Sequence, residues 1–252
     1  MIFITSLRKE LMEQWRTSRL IIVIGVLALF GMTSPLLAKF TPELLKMIPG
    51  TAEIASLIPV PYLTDAIAQF VKNTSQFGFI LAVLMSMGAV AVEKDKGTAS
   101  MVLVKPLPRS VFLLAKFTAL ALTFFIALSI SGLGAYYYSW VLFSDPGLGG
   151  WLGMLALLWL YTLVWIAITL FFSTLVKSQA AAVGLSFGLM LVLSLLGISP
   201  AILAYLPDQL IAWGASVAAQ HSLHAWGAFW VSLGMVIAAL LGAWLIFRKQ
   251  EL

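Results

Sequence analysis

Residues 152–176 read LGMLALLWLYTLVWIAITLFFSTLV, twenty-five residues without one charged side chain. A helix needs about 20 apolar residues to cross the ~30 Å hydrocarbon layer of a bilayer. Each Asp, Lys or Arg at its centre would cost about 2.5–3.5 kcal/mol on insertion scales. A run this long and this clean predicts a membrane-spanning helix. Five more stretches repeat the pattern, at roughly Leu20–Ala38, Gln76–Val92, Phe117–Phe143, Ala180–Leu196 and Trp226–Phe247. The second and fifth of the six are a little short.

The rest of the composition agrees. Of 252 residues, 62% are hydrophobic and 10% are charged, whereas a soluble domain is about half apolar and a quarter charged. The expected fold class is an all-α membrane protein of six transmembrane helices, with residues 1–252 forming a single transmembrane domain. A formal net charge of +5 raises the question of nucleic acid. The basic residues, however, sit singly at the ends of apolar runs and form no stripe, so no nucleic-acid partner is expected. The absence of cysteine excludes disulfides and thiolate chemistry. The opening residues MIFITSLRKELMEQWRTSR lack the basic-then-apolar order of a signal peptide.

Lys and Arg set the orientation. With both termini in the cytoplasm, twelve of the fifteen lie inside: Arg8, Lys9, Arg16, Arg19, Lys94, Lys96, Lys105, Arg109, Lys116, Lys177, Arg248 and Lys249. Only Lys39, Lys46 and Lys72 remain outside. That asymmetry predicts an even number of spans in the cell (inner or plasma) membrane, with both ends cytoplasmic.

The segments between the spans have their own signatures. In residues 1–19, Ile4, Leu7, Leu11 and Trp15 recur three to four apart, as in an amphipathic helix lying in the membrane interface; a plain extension of the first span is the alternative. Residues 39–75 form a long outside loop broken by Pro42, Pro49, Pro59 and Pro61, with Glu43–Ile48 and Leu63–Val71 as short surface helices. Residues 198–225 are too apolar for a free loop, and Pro200, Pro207 and Asp208 interrupt any span. A pair of short re-entrant helices is expected there.

Two motifs invite catalytic readings. Gly184-Leu-Ser-Phe-Gly188 matches the G-x-S-x-G nucleophile elbow around Ser186, yet that motif needs a strand turning into a helix. Ala180, Gly184 and Gly188, spaced every four residues, read instead as a smooth face for close helix packing. His221 and His224 lack the acidic companion of a metal or hydrolytic site. An intramembrane enzyme using Ser186 or the histidine pair therefore stands as an alternative, as does a self-sufficient channel or carrier. No span carries a central ionisable residue of the kind that couples ions to transport, and no phosphate-binding loop is present. A transporter built from this chain must borrow its energy.

The remaining charges concentrate in the loop at residues 93–116. Glu93 to Lys96 closes the second span, and Gly97-Thr98 turns the chain and caps a new helix. Residues 99–105, including Met101, Val102, Leu103 and Val104, make about two turns before Pro106 and Pro108 stop them. Arg109 and Lys116 then anchor the third span. A short apolar helix held beneath the membrane suits either a docking surface or packing against the bundle's own end.

This order of residues, with Glu93, Gly97, Thr98, Pro106, Arg109 and Lys116 matching in position, resembles the ABC-2 type permeases, the membrane subunits of ATP-binding-cassette exporters. The resemblance covers almost the whole chain. The long first outside loop is similar to the subset that includes permeases of sodium-export and copper-enzyme maturation systems. The resemblance implies a coupling helix, Leu103 among its residues, docked into a separate ATPase subunit. It further implies a homodimer with two ATPase copies in a lipid membrane, ATP and Mg bound by the ATPase and no cofactor or metal in this chain. Pro200 and Pro207 would form an outer gate.

Overall fold

The computed structural model describes residues 2–48, 59–95 and 108–249. Every regular element among them is a helix: α1 (Ile2–Arg16), α2 (Arg19–Lys46), α3 (Leu63–Ser86), α4 (Ala91–Asp95), α5 (Arg109–Leu142), α6 (Leu148–Leu175), α7 (Gln179–Leu196), α8 (Pro200–Leu203), α9 (Asp208–Ala218) and α10 (Trp226–Lys249). Six helical stretches are long and apolar enough to cross a membrane: α2, Leu63–Glu93, α5, α6, α7 and α10. The last three expected spans are found within a few residues of their predicted limits.

The first half of the chain departs from expectation in three places. α2 continues through Pro35 and Pro42 to Lys46, so Glu43–Lys46 belongs to the first span and forms no separate surface helix. Proline interrupts one backbone bond, but side-chain hydroxyls and neighbouring helices compensate inside a bundle. The Ser34 hydroxyl donates to the Phe30 carbonyl and the Thr41 hydroxyl to that of Leu37, each one residue before the carbonyl, of Gly31 or Ala38, whose helical N–H donor the proline lacks. α3 starts at Leu63, thirteen residues before Gln76, because Ala66, Ile67, Phe70, Val71 and Thr74 form a continuous buried face. α5 starts at Arg109, which places Arg109 and Lys116 on the helix itself.

In lipid the hydrophobic effect does little to hold one apolar helix to another; close packing and interhelical hydrogen bonds do that work. α5 and α6 form the hub. α1 and α2 pack on α5; α3, α7, α9 and α10 pack on α6. At the α2–α5 crossing, a Cβ on Gly31 would stand 2.8 Å from the Ser131 carbonyl oxygen, so only glycine permits this approach. The Ser131 hydroxyl then donates to Leu27 O at 2.7 Å. Trp151 and Trp159 donate their indole N–H groups to Gly132 O and Ala121 O, tying α6 to α5. Asn73 donates to Ser34 Oγ at 2.9 Å, joining α3 to α2; this bond occupies the asparagine of the Asn73-Thr-Ser sequence.

α9 lies along α6 in the opposite direction. Val217 rests against Gly150 and Gly153, and Gly214 against Met154; a Cβ on Gly150 would be 2.5 Å from Val217 O. Leu210 and Trp213 complete a cluster with Leu157, Tyr161 and Trp165. The α5–α6 turn is closed by Asp145, whose carboxylate accepts from the Gly147 N–H and the Tyr136 hydroxyl; these bonds hold it below the ordinary carboxylate range.

Candidate functional site

The ion pairs among the described residues gather beside the end of α3. The helix breaks at Met87, and residues 87–90 turn the chain into α4. Ser173, from the far end of α6, fills the break. Its hydroxyl accepts from the Val90 and Ala91 N–H groups at 3.1 and 3.0 Å and donates to Met87 O at 2.9 Å. One buried side chain thus takes up three backbone groups that the helix interruption would leave open.

α4 then presents Glu93 to Lys116. The ammonium of Lys116 lies 2.7 Å from Glu93 Oε1 and 3.1 Å from Glu10 Oε2, and 4.9 Å from the centre of the Phe112 ring. The lysine side chain is 4% exposed; Glu10 and Glu93 keep 12% and 16%. Two turns further along α5, the Thr123 hydroxyl donates to Gln14 Oε1. Glu10 and Gln14 are one helical turn apart on α1, so both polar contacts come from one stripe of that helix. The stripe joins α1 to α5 through Lys116 and Thr123, while Ile4 and Trp15, two of the residues expected to form its apolar face, are exposed. A cavity of about 70 Å³ beside the triad is lined by Glu13, Arg19, Gly88 and Val92 among others, room for several waters.

Arg109 provides a second anchor. It begins α5 directly after Pro108, and its Nη1 donates to Phe247 O at 2.6 Å and Arg248 O at 2.9 Å. These are terminal carbonyls of α10, where unsatisfied acceptors and the helix dipole both favour a cation. Phe112 stacks on Phe247 with ring centres 5.5 Å apart. The chain thus enters residues 96–107 from a braced α4 and leaves through a clamped Arg109.

The structure brings three of the seven expected coupling residues, Glu93, Arg109 and Lys116, to this end of the bundle. Gly97, Thr98, Leu103 and Pro106, with the expected helix at 99–105, lie outside the described residues. The remaining sites fall elsewhere. Ala180, Gly184 and Gly188 do not pack within the chain: a Cβ on either glycine would meet nothing within 4 Å, and α7 instead buries Ala182 and Ser186. Pro200 is exposed at the start of α8, and Pro207 is buried just before α9. The Ser186 hydroxyl is fully buried, donates to Ala182 O and meets Thr169 Oγ1 at 3.0 Å, the bonding of a structural helix serine. His221 and His224 are exposed, the latter edge-on to Trp213.

Sequence reasoning overlooked Ser173, Glu10, Gln14 and Thr123. For Glu10 and Gln14 a signal existed: with Leu7 they recur at helical spacing as a second stripe beside the apolar one. Ser173 and Thr123 carried none, because their partners are a backbone turn and a distant helix.

A model of the ABC-2 family transporter proteins matches residues 4–252. The chain is also 26% identical over 194 residues to the uncharacterized transmembrane protein YxlG of Bacillus subtilis (strain 168), covering 75% of this chain and 73% of that one.

Proposed function

This chain belongs to the ABC-2 family of transporter membrane proteins, and from that premise we propose that it forms the translocation pathway of an exporter as a homodimer. As a family member it is a multi-pass membrane component of an ABC transporter, not itself catalytic, and it works with an ATPase partner. In the proposed assembly two copies of the chain sit in the cell membrane with both termini in the cytoplasm. Two copies of a separate ATPase bind ATP and Mg beneath them. Residues 99–105 are the coupling helix, which the closing ATPase pair pushes, and the segment around Pro200 and Pro207 is the outer gate.

The observation that carries this reading is the pair of anchors on either side of residues 96–107. A push on a slack loop would dissipate in the loop. Here one end leads into Glu93, salt-bridged to Lys116 and through it to Glu10, and the other leads into Arg109, hydrogen-bonded to the end of α10. Force on the segment is therefore delivered to α1, α3, α5, α6 and α10 together, which is what a change between two packed states requires. The uncovered face of Ala180, Gly184 and Gly188 supports α7 as part of the contact between copies.

The test is Arg109→Ala in the complex of the chain with its ATPase. Substrate-dependent transport falls about tenfold or more while ATP hydrolysis continues and the complex still assembles, since the lost charge-assisted bonds are worth about 1.5–3 kcal/mol. Transport and hydrolysis that remain coupled as in the parent would overturn the assignment.

A further inference from the structure

α1 is held on one side and left open on the other. Glu10 and Gln14 turn toward α5, where Lys116 and Thr123 hold them. On a helix of about 3.6 residues per turn, Arg8, Lys9, Met12 and Arg16 then fall on the opposite side, and all four are exposed. Ile4 and Trp15 lie along one edge of that side, 69% and 62% exposed. The Glu10 and Gln14 contacts fix the rotation of the helix, so the basic side faces away from the bundle.

The protein makes little use of these cations. Among the described residues, Arg8 and Arg16 have neither a hydrogen bond nor an ion pair from their side chains. Lys9 has only a contact to Glu10 at 3.4 Å, a surface pairing of little worth. Three other cations at this end are engaged: Lys116 in the triad, Arg109 on the α10 carbonyls and Arg248 5.7 Å from the Trp244 ring centre. Arg8, Lys9, Met12 and Arg16 line an open groove of about 600 Å³, within the ~300–1,000 Å³ of small-molecule sites. Glu13 is the one carboxylate among its described lining residues, so the groove keeps a positive balance.

Topology alone offers an account, since Lys and Arg gather on the cytoplasmic side of spans. It explains their number but not their arrangement on one side of one helix. A row of cations edged by Ile4 and Trp15 fits a surface that is anionic at its face and hydrocarbon beneath. The cytoplasmic leaflet is such a surface. Resting on the orientation in the permease reading above, we propose that the outward side of α1 is a docking surface for anionic phospholipid headgroups. Arg8 and Arg16 stand about 12 Å apart along the helix axis, and each takes a headgroup phosphate through charge-assisted hydrogen bonds. Headgroups bound there hold α1 to the bilayer and, through Glu10, brace the Lys116 triad.

In the test the purified chain in detergent is titrated with phosphatidylglycerol or phosphatidylcholine, and bound lipid is counted by native mass spectrometry. Phosphatidylglycerol binds more tightly. Arg8→Gln with Arg16→Gln weakens its binding about tenfold or more, while Arg8→Lys with Arg16→Lys keeps most of it, since a lysine still meets a phosphate as a point charge. Lys177→Gln with Lys249→Gln, two exposed cations at the same end, leaves binding unchanged. A thermal melt of each variant checks that the fold is kept. Equal binding of the two lipids, no loss in the Arg8 and Arg16 glutamine variant, or an equal loss in the Lys177 and Lys249 variant overturns the surface. Loss of the ATPase from the glutamine variant with lipid binding intact also overturns it, and gives the face to a protein partner. The lipid readout needs neither ATP hydrolysis nor transport, so its failure is distinct from a failure of the Arg109→Ala experiment.

Discussion

α5 and α7 are both apolar helices long enough to cross a membrane, and they are held in opposite ways. The most apolar stretch of α5 is 61% buried within the chain, and that of α7 only 11%. α5 carries an ionic triad, the Thr123 hydroxyl and the Ser131 crossing; α7 fully buries only Ala182 and Ser186. Apolar composition selects the solvent but not the neighbours. What separates the two helices is a handful of polar and small residues that match a specific partner.

The largest effect expected from this contrast is on the α5 side. Lys116→Met removes the only cation of the triad and leaves Glu10 and Glu93 facing each other. Breaking a buried pair costs about 3–5 kcal/mol, and the residual exposure of both carboxylates puts this one near the lower figure. A marked fall in unfolding temperature, followed by tryptophan fluorescence in lipid nanodiscs, is the expected result. Adding Glu93→Gln restores part of the loss, because the two residues are coupled. Parent-like stability for Lys116→Met alone would mean that α1 is held by its apolar contacts instead.

Next comes the seat of α9 on α6. Gly150→Val inserts a side chain where the Val217 carbonyl leaves 2.5 Å for a Cβ. Overpacking of this kind costs about 1–3 kcal/mol, and here the obstacle is backbone. Faster amide hydrogen exchange in residues 208–218, with α1 and α5 unchanged, is the expected signature. Uniform exchange across the chain would show that α9 is not a separate unit.

How much of this was legible in the sequence follows the same division. Six spans could be read because charges are absent from their centres, and the ends of α6, α7 and α10 followed from the same rule. α2 and α3 were misjudged because Pro42, Asp65, Lys72 and Asn73 look like loop residues. Inside a bundle, proline is tolerated and Asn73 finds Ser34, so the helical spacing of Ile67, Phe70, Val71 and Thr74 prevails over these residues. At the anchors, Glu93, Arg109 and Lys116 stood out as charges beside apolar runs. Their partners did not, since Glu10 comes from a helix 106 residues away and Arg109 bonds to backbone carbonyls. The packing stripe of α7 was legible as a surface, but within the chain it packs on nothing.

A smaller effect tests the hinge between braced and free helices. Ser173→Ala strands the N–H groups of Val90 and Ala91 and frees the Met87 carbonyl. A buried group left without its partner costs about 1–3 kcal/mol. The value should fall at the lower end, because the turn can relax toward water at the end of the bundle. Exchange at residues 87–91 rises while the global melting temperature drops by only a few degrees. A fall as large as that of Lys116→Met would make the α3 break part of the core.

The smallest effect on the single chain belongs to α7, and its smallness is the point. Gly184→Leu adds a side chain where nothing lies within 4 Å, and it replaces a poor helix former with a good one. In the isolated protomer the melting temperature should therefore stay level or rise slightly, since leucine is favoured over glycine by about 0.5–1 kcal/mol in a helix interior. If α7 meets a second copy through Ala180, Gly184 and Gly188, the same bulk holds the two backbones apart, and dimer mass in light scattering falls while the protomer stays folded. The two readouts move in opposite directions only when the small-residue face is a contact between chains. A variant that keeps both its fold and its dimer would leave α7 to lipid and move the interface to another uncovered helix.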